Sequence, residues 1–380
     1  MSAEAVNRFT FNILNHLYVS QNASGNIAFG GISLYVLMGI INFGLKGPSC
    51  DQLSQFIGEK CEEKFTGTWT ISNTAKRWRH LRDLAEELRM ENSALFCSYD
   101  VNYQFELIAD LIFSLHIKKL DFSNPTKSVH EMNSWIYYET YGMIKNIFNE
   151  STLTENMIML FDVVFFHADW RTKFKPGLTK NETFYDDNAN QYEVSMMNQE
   201  SYHRVYDLPE NNFRILFKDF TYPTLFSAIV LPRDGHRIVD VFQNFKVFFL
   251  LTKLDQMPAY FNYSTKKYVK LKLPKLNILS RNDLVATMIH FGIKDIFDKD
   301  HSNFGRMMNN SVYVGNLMQV TNLAIDELGV NSEEEIEDMV EESIYETDEF
   351  YVTRPFLFFV YSYSGEPVLF SAIVTNPKAA

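Results

Sequence analysis

No apolar run in this chain is long enough to cross a bilayer as a helix, and Met1 to Thr10 is too polar for a secretory leader. No transmembrane helix is expected. The start fits either a cytoplasmic protein or a mature extracellular chain whose leader has been removed. Cysteine is scarce: Cys50, Cys61 and Cys97 all lie in the first quarter and show no metal or redox spacing. An odd number leaves at least one thiol unpaired, and the count fits a reducing compartment. Five Asn-x-Ser/Thr tripeptides, at Asn22, Asn149, Asn181, Asn262 and Asn309, are N-glycosylation acceptors and point the other way.

Other absences exclude chemistry. The nine histidines never occur as HxH, HExxH or HxxxH, so no metal centre is expected. Gly30-Gly31 and Gly44-x-x-Gly47 lack the flanks of a dinucleotide or phosphate loop and read as strand-end turns. No Gly-x-Ser-x-Gly elbow is present, and Asp234-Gly235-His236 reads as a hairpin turn. The chain is therefore read as not an enzyme and as needing no cofactor. Its net charge of -12 argues against nucleic-acid binding, which needs clustered Lys and Arg.

What is present is a folded protein, 46% hydrophobic and 15% aromatic. Helical spacing marks Val6–Tyr18, Ile32–Leu45, Thr74–Met90, Phe105–Ser114, Val129–Thr140, Val239–Leu254 and Asp283–Phe291. The helix from Thr74 carries Lys76, Arg77 and Arg79. A solvated face explains these residues better than a polyanion site. Strands are expected at Ala94–Val101, at Tyr192–Met197 and Arg204–Asp207 as two short pieces, and at Leu225–Pro232. Ile158–Phe166 is apolar on both faces and reads as a central strand, so Asp162 within it needs hydrogen-bond donors. Helices dominate the first third and strands the rest. With no repeat or linker, an α+β class and one domain over residues 1–380 are expected.

The last sixty residues are arranged around an acidic stretch. Between Glu333 and Glu342 stand seven acidic residues, held between apolar strands on either side. Such charge belongs in solvent.

Five ordered motifs carry a resemblance. They are Asn26-Ile27-Ala28-Phe29 leading to Ser33; Phe165-Phe166-His167-Ala168-Asp169-Trp170 with Phe174; Lys272-Leu273-Pro274-Lys275 followed by Leu284 to Phe297; Ile325-Asp326-Glu327-Leu328-Gly329; and Arg354-Pro355-Phe356-Leu357-Phe358 with Leu369-Phe370 and Asn376-Pro377. Over essentially its whole length the chain resembles the serpins. The resemblance implies three β-sheets, eight or nine helices and an exposed reactive centre loop, with hinge and loop at 327–349. In inhibitory members a protease cleaves the loop and is trapped as the loop inserts into the main sheet. Counting along the motif places the hinge at Glu327, Gly329, Val330, Ser332, Glu334 and Ile336. It places the cleaved bond at Ser343-Ile344 or Ile344-Tyr345. With no Arg or Lys in the loop, a trypsin-like target is not expected, and a cysteine protease is a candidate beside serine proteases.

Two departures from the family pattern stand out. Ser332, Glu333, Glu334 and Glu335 occupy hinge positions that inhibitory members fill with small residues. Around the point where the sheet must open, the residues are Gly30, Ser33, Asp162, Gln319 and Trp170. There Asp162 and Gln319 replace an Asn and a His, and a hydrogen bond between them, joined by Ser33, is the expected substitute. Two readings follow. One is a monomeric inhibitor that traps its target. The other is a non-inhibitory binding, carrier or chaperone-like protein whose acidic hinge resists insertion. Reversible lock-and-key inhibition by the intact loop is a weaker third.

Overall fold

The computed structural model describes residues 3–61, 69–88, 90–167, 169–222, 224–244, 256–327, 347–362 and 367–379. The chain divides into two compact units, one of residues 1–9, 30–165 and 281–321, the other of residues 10–29, 166–280 and 322–380.

Helix α1 (Ala3–Ser20) is divided between the units after Phe9, and in the first unit α2 (Gly31–Gly44), buried at every residue, forms the centre. A helix with no polar face belongs inside. Next to it, α3 (Gly47–Ile57) ends on Gly58 at φ 73, and α4 (Asn73–Glu86) starts with the Ser72 hydroxyl accepting from Ala75 N. Trp78 of α4 stacks on Tyr35 at 5.5 Å and tilts against Phe113 of α5 (Tyr103–Phe113) at 5.2 Å. A Cβ on Gly39 of α2 would meet the Trp78 ring at 2.3 Å, so only glycine lets the two helices approach this closely. Helix α6 (Pro125–Glu139) opens with Asn124 accepting from Lys127 N.

Strands β2 (Met90–Cys97), β3 (Leu115–Lys119), β4 (Met157–His167), β10 (Leu276–Asp283) and β11 (Tyr313–Ile325) form a five-stranded sheet in the order β10-β11-β4-β2-β3. β4 is buried along all but its last residue, as its two-sided apolar run requires. It pairs antiparallel with β2, and Ser93 stands opposite Asp162. This pairing corrects the helix expected to reach Met90: helical spacing continues to Leu88, but residues from 90 onward take the sheet ladder and the strand ends at Cys97, not Val101. Cys50 and Cys61 form a disulfide and Cys97 is a buried free thiol, so the reducing compartment suggested by the cysteine count is not supported.

In the second unit, nine strands form one connected set in the order β1-β14-β13-β8-β7-β6-β9-β12, with β5 paired to β6. These are β1 (Ile27–Phe29), β5 (Lys180–Tyr185), β6 (Gln191–Tyr206), β7 (Phe213–Asp219), β8 (Leu225–Pro232), β9 (Thr265–Pro274), β12 (Asp348–Tyr351), β13 (Phe356–Ser362) and β14 (Val368–Val374). β6 touches β7 only through Arg204–Tyr206, whereas it pairs with β9 along Met196–Val205. The set is thus two sheets joined at one corner, and with the five-stranded sheet this gives the three expected. β6 is a single strand of 16 residues where the sequence suggested two pieces, because Gln199 and His203 in its middle are polar yet buried. The segment Asp234-Gly235-His236 turns from β8 into the helix 238–244 and makes no hairpin. Of the helix expected over Val239–Leu254, residues beyond 244 lie outside the described residues. The unit also contains helix Gln256–Tyr263; Val285–His290, in the first unit, is a short helix that begins after Asp283, which itself ends β10.

Candidate functional site

Two polar assemblies contain the sequence candidates that the structure describes, one in each unit. The first is built on β4. Asp162, fully buried, accepts from the Ser33 hydroxyl at 2.5 Å, the Ser93 hydroxyl at 2.9 Å and Gln319 Nε2 at 2.6 Å. Gln319 is fixed in orientation by Gly30: its Nε2 also donates to Gly30 O at 2.9 Å and its Oε1 accepts from Gly30 N at 3.0 Å. Thr321 adds a hydroxyl donor to the same Oε1 at 3.1 Å. A Cβ at Gly30 would meet Val164 at 2.7 Å, which explains why the turn can lie against β4 only with glycine there. The sequence reading named Gly30, Ser33, Asp162 and Gln319. It missed Ser93 and Thr321, for which alternation with a partner strand was the available signal.

Burial pushes the Asp162 carboxyl above its ordinary value, against the three hydrogen bonds that favour its ionised form. The folded protein then holds a proton that the unfolded chain has lost, so this contribution to stability is full below the ordinary carboxylate range and declines as pH rises through the raised value. Asp162→Ala would leave Gln319 Nε2, which Gly30 holds in place, and the Ser33 and Ser93 hydroxyls without their acceptor. It is expected to cost about 1–2 kcal/mol at low pH in urea unfolding, the gap to wild type narrowing as pH rises. A gap that widens with pH would contradict this.

The second assembly holds the start of the loop. Trp170 was grouped with the sheet-opening residues from the sequence, but its contacts are here: Nε1 donates to Asp326 O at 3.1 Å, and its ring stacks on Phe220 at 5.0 Å. Phe174 N donates to Glu327 O at 3.1 Å, the Thr179 hydroxyl donates to Glu327 Oε1 at 2.7 Å, and Lys275 Nζ lies 2.7 Å from Oε2. Burial opposes ionisation of Glu327, but Lys275 and Thr179 outweigh it and hold the carboxyl below its ordinary value. His167 Nε2 lies 3.2 Å from Asp326 Oδ2.

Beneath this sits a group that sequence reasoning missed. Lys218, 1% exposed, donates to Thr172 O at 2.7 Å and Gln199 Oε1 at 2.6 Å, with Phe174 and Trp170 rings 4.7 and 5.2 Å from its nitrogen. Gln199 Nε2 in turn donates to Lys173 O at 2.8 Å. Residues 172–174 are thereby pinned, and Phe174 holds Glu327. Burial drives the Lys218 ammonium down to about 7. His203, also buried, is pushed well below its ordinary value by desolvation and by Lys218. The far end of the loop is tied as well: Asp348 receives Arg214 Nη2 at 2.8 Å and Lys267 Nζ at 3.0 Å.

The remaining sequence candidates, Gly329, Val330, Ser332, Glu334, Ile336, Ser343, Ile344 and Tyr345, lie outside the described residues. Lys76 and Arg77 of α4 are exposed and Arg79 is partly so, while Arg82 on the same helix pairs with Asp83 and Glu86. Among the described residues no His/Cys/Asp/Glu group could hold a metal ion, and no helix is long and apolar enough to cross a membrane.

The family model described as Serpin (serine protease inhibitor) matches residues 4–377. Serpin B7 from Homo sapiens is 21% identical, covering 99% of both chains. Among solved structures, uncleaved ovalbumin superposes with a TM-score of 0.82 at 18% identity, covering 99% of this chain and 100% of that one. Thyroxine-binding globulin in complex with thyroxine gives 0.80 at 21% identity, covering 99% of both. The fold expected from the five motifs is therefore present, and the chain belongs to the serpin family.

Proposed function

We propose that the chain acts, as one domain, as a trapping inhibitor of a protease, serine or cysteine, that is not trypsin-like. The observation that supports this best is strand order: β11, which leads into the hinge at Asp326 and Glu327, lies directly beside β4 in a sheet of five strands. A loop cut near Ser343-Ile344 can add a sixth strand between them once the Asp162–Gln319 hydrogen bond gives way. In that reaction the protease's nucleophile bonds to the Ser343 carbonyl carbon, the bond to Ile344 N breaks, and the new amine leaves with a proton. Insertion then carries the acyl-enzyme away before water can release it. The same proposal takes the protein to act as a monomer and to carry N-linked sugar.

The test is Val330→Arg. It is expected to leave cleavage intact while abolishing the covalent complex seen on denaturing gels, because a guanidinium at the first inserting position stops strand addition. Inhibition that persists in this variant overturns insertion.

A second reading, a non-inhibitory binding or carrier protein, is favoured by the hinge composition. Strand alternation puts Glu334 and Asp338 on the same face as Val330, Ile336 and Val340, and that face must be buried on insertion. Thyroxine-binding globulin, a structural relative, is seen with a bound small molecule.

A further inference from the structure

We propose that Asn22, Asn149 and Asn309 carry N-linked glycans, and that the protein folds in the oxidising, oligosaccharide-transferring compartment of a secreting cell. The inference names the sites of the sugar included in the functional proposal and depends on neither reading of the loop. All five acceptor asparagines are exposed, whereas Asn7, Asn42, Asn282 and Asn322 are buried at 0, 6, 5 and 7% exposure. Many asparagines outside these tripeptides are exposed as well, so exposure permits modification without selecting the sites.

Local geometry then separates the five. Asn22 lies in the turn after α1 with φ 57, and Ser24 two residues on is exposed. Asn149 accepts from Ser151 N at 3.1 Å, a turn that brings the two recognised residues together on an exposed segment. Asn309 occupies an exposed bend and Ser311 is exposed. By contrast, Asn181 sits within β5, and the nitrogen that would take the sugar donates to Glu193 at 3.1 Å. Asn262 lies in the helix Gln256–Tyr263, where residues two apart point in different directions, and the Ser264 hydroxyl is buried, unlike the exposed Ser24.

In the transfer, Asn Nδ2 bonds to the anomeric carbon of an N-acetylglucosamine. The bond from that carbon to the pyrophosphate of a lipid-linked oligosaccharide breaks, the pyrophosphate leaves with the electron pair, and the amide proton passes to the transferase.

Independent support comes from the cysteines. Cys50 and Cys61 are joined, with Cα atoms 5.8 Å apart, which places folding in an oxidising compartment. Burial pushes the Cys97 thiol up to about 11, so the odd cysteine stays unreactive and does not exchange with the disulfide.

The test uses the full chain placed behind a secretory leader and expressed in a secreting animal cell. The protein is digested without reduction, treated with peptide-N-glycosidase in heavy-oxygen water and mapped by mass spectrometry. Expected are labelled Asp at positions 22, 149 and 309, unlabelled Asn181 and Asn262, a Cys50–Cys61 cross-linked peptide and a free Cys97. The variant combining Asn22→Gln, Asn149→Gln and Asn309→Gln should show complete loss of the glycosidase-sensitive gel shift. Absence of label at any of the three sites overturns its assignment, label at Asn181 or Asn262 overturns the geometric rule, and reduced Cys50 overturns the pairing from which the compartment is argued.

Discussion

Cutting the loop between Ser343 and Ile344 is expected to raise the melting temperature by tens of degrees, because strand addition beside β11 would add a fully hydrogen-bonded central strand to the sheet. The opposing term comes from Glu334 and Asp338. Each would be buried by insertion, and an unpaired buried carboxylate costs several kcal/mol until it protonates or finds a donor. Changing both to Ala should therefore widen the gap between cut and intact protein, mostly by raising the cut form. Scanning calorimetry of the four samples decides it. Identical melting points for cut and intact wild type would remove trapping and leave the binding reading. Equal gaps in wild type and variant would show that the acidic hinge does not oppose insertion.

Lys218→Met is expected to change how stability depends on pH. The lysine's folded value falls from 10.5 to about 7, so between those values the unfolded chain binds a proton that the folded one lacks, and wild-type stability rises with pH. At about 1.4 kcal/mol per pKa unit, the stability of wild type relative to the variant should grow by about 2–3 kcal/mol from pH 7 to pH 9. Methionine keeps the stem against Trp170 and Phe174 while removing the amine. Urea midpoints at the two pH values measure the difference, and parallel shifts would show that Lys218 is charged throughout. Because Lys218 grips Thr172 O, the variant should also loosen the Phe174–Glu327 contact, read as a change in Trp170 fluorescence.

The uneven legibility of these sites in the sequence has a physical cause. Asp162 stood out because a carboxylate in a run apolar on both faces has few places to go, and Gln319 became its partner by motif position. Glu327 was marked by its motif alone. Lys218, Gln199 and His203 left no such signal: they are polar residues on exposed-looking alternation, and only the pairing of β6 with β9 and the close approach of residues 172–174 put them inside. The same polar character hid the middle of β6. Ser93 was hidden differently, falling between a helix expected to end at Met90 and a strand expected to begin at Ala94, whereas β2 already starts at Met90.

Everything after the loop is held by the sheet it rejoins. β13 and β14 are buried at every residue, β13 lies between β8 and β14, and β14 pairs with β1. A molecule nicked within 328–346 would thus travel as a single particle through a sizing column, its carboxyl-terminal piece retained as a non-covalent subunit and released only by denaturant. Residues 347–380 are accordingly a natural seam for fragment complementation, in which two separately made pieces report on their reassembly.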